Sequence, residues 1–126
     1  MSDKTAQLLS LRPSVSTKPA HGEAEIFQNL TLRPLLKLQN DLLIRVFRQY
    51  IVQRKNIYYK LSPADRQLYI TQSLKQDQKF QQFLRGLIIG HFTDQEYDTF
   101  VLNEHEINRR LFNLIEQRLL SQADNF

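Results

Sequence analysis

From Glu23 onward the large apolar residues recur at three- and four-residue steps, the period of helices that each turn one face to a core. Phe27 and Leu30 sit in a short helical lead-in to Thr31-Leu32-Arg33-Pro34. Pro34 suits a first helical turn, where its missing amide donor costs little. Leu35, Leu36, Leu38, Leu42, Leu43, Val46, Phe47, Tyr50 and Ile51 then mark the longest helix, 35–54, with a stripe wide enough for a central position. After a break over 55–61, Ser62-Pro63-Ala64-Asp65 opens a second helix carrying Leu68, Ile70 and Leu74. There Ser62 is the cap and Asp65 complements the positive helix end. A third begins near Asp77, with Phe80, Phe83, Leu84, Leu87 and Ile88 assigned to the core and Gly90 to a left-handed terminal cap. Thr93-Asp94-Gln95-Glu96 reads as a capping box before Tyr97, Phe100 and Val101. Asn103 caps a final helix with Ile107, Leu111, Leu114, Ile115 and Leu119 on its apolar face, ending near Gln122.

No window alternates long enough to specify a strand. The expected fold class is therefore all-α, a compact bundle of four to five helices. The expected organisation is a flexible N-terminal arm, 1–22, and a helical domain, 23–126. The arm mixes Ser, Thr, Lys, Pro and Gly, and Pro13 and Pro19 forbid one continuous helix. Leu8, Leu9 and Leu11 are its clustered large apolar residues, too few to offset ordering entropy. Deleting the arm is expected to leave stability nearly unchanged.

Composition narrows the chemistry. With 126 residues the chain suits one domain, and only 3 glycines and 4 prolines agree with few turns. There is no cysteine, which excludes disulfides, thiolate metal sites and a thiol nucleophile, and fits a reducing compartment. No stretch approaches the roughly 18 uninterrupted apolar residues of a membrane span, and no signal peptide is evident at the start. The expected location is the cytoplasm, without membrane association. The 17 basic and 13 acidic residues leave a net charge of +4, which mildly favours an acidic partner and equally serves solubility.

Glycines only at 22, 86 and 90 cannot build a phosphate-binding loop. His105-Glu106-Ile107-Asn108-Arg109 begins like a zinc-protease helix but places a cation where the second histidine belongs. His91, Asp94, Glu96, Asp98, Glu104, His105 and Glu106 form the richest set of potential ligands. Asp94, Glu96, Glu104 and Glu106 nevertheless fall in first helical turns, where acids are favoured without a metal. No metal site, cofactor or catalytic residue is expected. The candidate partner-binding residues are Arg45, Arg48, Arg54, Lys55, Tyr58, Tyr59 and Lys60. With Phe47 and Tyr50 they form a basic-aromatic run free of acids, the combination that phosphate contact and base stacking require. The same run also reads as the solvated edge of an amphipathic helix.

Phe27-Gln28-Asn29-Leu30-Thr31-Leu32-Arg33-Pro34, running into Leu38-Gln39-Asn40-Asp41, and Gly86-Leu87-Ile88-Ile89-Gly90, running through Phe92-Thr93 to Tyr97, resemble a family of short all-helical bacterial proteins often labelled glyoxalase. The likeness extends from about Phe27 to the end. It implies a helical fold and a cytoplasmic location, and carries no site residues with it. Three functions follow as expectations. The first is a non-enzymatic helical interaction or adaptor protein binding another macromolecule, as a component of a larger assembly. The second is a nucleic-acid or ribonucleoprotein binder using 45–60. The third is a metal-dependent, glyoxalase-like enzyme using His91, Glu96, His105 and Glu106.

Overall fold

Proline 34 shapes the first long element. It has no amide to offer the carbonyl of Leu30, and its ring presses on that carbonyl from one turn below. In the computed structural model, which describes residues 3–126, the helix widens just before it: Gln28–Leu32 is a π turn in which the Arg33 amide reaches Gln28 O, five residues back. The helix continues through the proline instead of starting at it. The segments Glu23–Phe27, Gln28–Leu32 and Arg33–Leu38 thus form one element, α2 (23–38). It is preceded by α1 (Asp3–Ser10) and followed by α3 (Asn40–Gln53), α4 (Pro63–Gln76), α5 (Gln78–Ile89), α6 (Asp94–Leu102) and α7 (Glu104–Ser121). Short 3-10 turns lie at Ile57–Lys60 and Ala123–Asn125.

The described residues are all-helical, with no strand. They hold seven helices where four to five were expected. The expected 35–54 helix is divided at Gln39, whose backbone leaves helical geometry (φ −96°, ψ 12°) although hydrogen bonds continue on both sides. The arm adds α1. Among the described residues no helix is long and apolar enough to cross a membrane.

Several local signals operate as read. Ser62 accepts from the Asp65 amide at 3.2 Å, and Thr93 and Glu96 satisfy each other's amides in a full capping box; Asp77, expected only as the start of α5, also caps it by accepting from the Phe80 amide at 3.1 Å. Two do not. Gly90 is right-handed (φ −57°), because the end of α5 tightens through i to i−3 bonds from His91 and Phe92 instead. Asn103 turns its side chain back to Thr99 O in the last turn of α6 at 3.0 Å and leaves the start of α7 without a side-chain cap. The left-handed cap lies at the end of α3. There Asn56 N–H reaches Ile51 O and Lys55 N–H reaches Val52 O, with Lys55 at φ 62° and Asn56 at φ 58°.

One core joins all the helices of 23–126, and α7 runs through its middle, packing on α2, α4 and α6. Leu32, Leu35, Phe47, Ile51, Ile70, Ile107, Leu111 and Ile115 are completely buried. Phe83 and Leu68, assigned to the core by spacing, are exposed. The apolar stripes of α4 and α5 are wider than the surface their neighbours cover.

The arm lies against the domain, so a free arm is not what the structure shows. Arg12 forms a two-pronged ion pair with Glu96 of α6 (2.5 and 2.6 Å) and donates to His91 O at 3.0 Å. Lys37 donates to Ser14 O and Asn29 to Lys18 O. The apolar count that suggested mobility left this ion pair out.

Candidate functional site

The seven candidate partner-binding residues do not form one surface. Tyr58 is 0% exposed; its ring packs edge-on to Phe47 and Phe126, and its hydroxyl donates to Ala123 O at 2.9 Å. Burial raises its pKa, against the opposing charge of Arg66. Arg54 is pinned across the Tyr50 ring at 3.4 Å and to Asp77 at 2.7 Å. Arg48 reaches Asn125 O at the chain end. Arg45, Lys55, Tyr59 and Lys60 are exposed. Of the interleaved aromatics, Phe47, Tyr50 and Tyr58 are core, and Tyr59 is exposed.

Beside them lies a larger feature. Val46, Gln49, Tyr50 and Gln53 of α3 face Lys79, Phe80 and Phe83 of α5 across an open groove of about 590 Å³. Its floor is aromatic, with the Tyr50 and Phe80 rings 4.0 Å apart. Phe83, on one wall, is 56% exposed. The Arg54–Asp77 pair closes one end, where the Tyr50 hydroxyl donates to Asp77 at 3.0 Å. The Phe80 amide is the chief cause holding the Asp77 carboxyl below its usual range; burial opposes it, and Tyr50 and Arg54 add to it.

Two of the candidate acids, Glu96 and Glu106, are engaged with arginines. Glu96, 16% exposed, accepts from Arg12, the Thr93 amide and Thr31 Oγ1. Burial alone would push its carboxyl up, but these hydrogen bonds and the Arg12 charge together hold it below the usual value. Glu106 pairs with Arg109 and Arg110 at 2.5 and 2.9 Å. The His91 ring is hydrogen-bonded to the Gln39 amide. Among the described residues, no three His, Asp or Glu side chains converge as metal ligands would.

A further surface was not singled out from the sequence. Between α2 and α7 run two adjoining clefts that share Arg33, Leu114 and Gln117, with Arg118 in one and Arg109 and Arg110 in the other. Arg33 is 76 or more residues from its companions, so no local run announces the cluster. The available signal was the polar face of the last helix, where Arg110, Asn113, Gln117 and Ser121 recur at helical steps. Set against known proteins, the chain matches no family model, no curated protein and no solved structure.

Proposed function

We propose that this chain is a non-enzymatic helical interaction protein, an adaptor that binds another macromolecule in the cytoplasm as part of a larger assembly. The α3–α5 groove carries this reading: it is open, aromatic-floored and flanked by an exposed Phe83 that no helix of the domain covers. Such a slot suits the apolar face of an amphipathic segment from a protein partner. Lys79 on the wall and Arg45 nearby on α3 favour acidic residues flanking that segment.

The glyoxalase-like alternative draws less support, because Glu96 and Glu106 are committed to arginines. The nucleic-acid reading of 45–60 loses Tyr58 to the core and Arg54 to Asp77.

Capture from native lysate on the immobilised chain tests the proposal. Nuclease treatment should leave the captured partner in place. Phe83→Ser, an exposed substitution that keeps helical content, should abolish its capture. A partner retained equally by the Phe83→Ser variant would remove the groove from the contact surface.

A further inference from the structure

We infer that the α2–α7 face is a contact site for the phosphodiester backbone of double-stranded nucleic acid, with Arg33 and Arg118 as its principal anion-binding groups. This is a different face from the α3–α5 groove and does not depend on a protein partner seated there.

The residues lining the two clefts include four arginines and no carboxylate. Arg109 and Arg110 are partly neutralised by Glu106 alongside. Arg33 and Arg118 have no acidic partner among the described residues. Arg33 gives only its Nε to the protein, to Asn29 Oδ1 at 3.1 Å, leaving both terminal nitrogens unengaged. Arg118 gives Nη1 to Asn40 Oδ1 at 3.2 Å, and that amide is set in place by reciprocal bonds with Gln122 at 3.0 and 2.8 Å. Two guanidiniums are thus held in one polar cleft with donors to spare. Burial first, and then the like charge of Arg33, lowers the Arg118 pKa, a cost that an oxyanion between them would relieve.

The lining also selects among polyanions. From Arg109 to Ser121 the helix spans roughly 18 Å, the axial rise of about five base pairs of duplex. Asn113, Gln117 and Ser121 add neutral donors of the kind that meet phosphate oxygens. No aromatic ring lines either cleft, so unpaired bases find nothing to stack on, and a duplex presenting only its backbone fits better than a single strand.

The test is fluorescence anisotropy of the full chain with labelled 20-base-pair duplexes of two unrelated sequences, titrated across salt concentration. Both duplexes should bind with similar affinity that falls as salt rises. The double variant Arg33→Gln/Arg118→Gln should weaken binding by at least tenfold and flatten the log–log salt slope by about 0.9, for the one phosphate that the two guanidiniums share. Gln117→Glu, an exposed change shared by both clefts, should weaken binding to a similar degree while the fold stays intact. Arg45→Gln/Arg48→Gln should change affinity less than twofold. Four results would overturn the inference: no duplex binding at low salt, tighter binding to the matching single strand, unchanged affinity in Gln117→Glu, or a loss confined to the Arg45/Arg48 variant. None of these bears on capture of a protein partner through Phe83, so the two readings fail separately.

Discussion

Glu96 concentrates more of this fold than any other polar side chain. It completes the capping box of α6, receives Thr31 from the π turn of α2, and holds Arg12 of the arm. Arg12 is only 8% exposed, so that carboxylate is what offsets the desolvation of its guanidinium. Glu96→Gln keeps the shape but strands the cation, and should cost about 3 kcal/mol, or roughly 10 °C in melting temperature. The pH sign follows from the depressed carboxyl: its stabilisation is complete above the ordinary glutamate pKa and is lost as pH falls through the lower folded-state value. Asp77, also depressed, acts in the same direction. Thermal melts from pH 7 downward should therefore show wild-type stability declining in acid, and Glu96→Gln declining less steeply from its lower start. Equal slopes would assign the acid response to other carboxylates.

At the scale of elements, Gly22 takes positive φ (88°) before α2, but the left-handed turn that ends α3 falls on residues with side chains. Gly90 is right-handed, and a Cβ there would lie 3.2 Å from Gly86 O, the carbonyl its own amide already reaches, so nothing in its backbone demands the left-handed cap expected of it. The end of α3 requires positive φ at Lys55 and Asn56, a region that costs a residue with a side chain about 1–2 kcal/mol. Lys55→Gly should relieve part of that strain, offset by the greater freedom of glycine in the unfolded chain, and stabilise the protein by about 0.5–1 kcal/mol in urea unfolding. Destabilisation would mean that the Lys55 side chain makes up for its backbone. The two expected caps that held, at Ser62 and Thr93, were legible because each depends on a side chain and an amide three residues away. Gly90 and Asn103 misled because their residue types tolerate the expected conformation without requiring it.

For the whole molecule, the arm is the element whose position matters most. Its apolar residues contribute little: α1 buries none completely, and Leu9 and Leu11 are exposed. Its attachment is chiefly the Arg12 ion pair, with weaker ties at Ser14 and Lys18. Removing residues 1–22 should lower the melting temperature, contrary to what composition suggests, and Arg12→Ala should reproduce most of the loss. If truncation leaves the melting temperature unchanged, Arg12 contributes nothing net, its desolvation cancelling its attraction to Glu96.

Apolar periodicity determined that the chain is helical and which residues of the last helix enter the core, and cap residues determined where most helices begin. These depend on neighbours within one or two turns, and the chain carries that information in order. Tertiary structure alone decided that Tyr58 is buried while Phe83 is exposed, that Arg12 meets Glu96 across 84 residues, and that Arg33 joins Arg118 in a cleft without acids. Such pairings depend on which helix faces which. That choice is settled by the packing of whole apolar faces and by the desolvation of charges between them, and neither has a period that can be read along one segment.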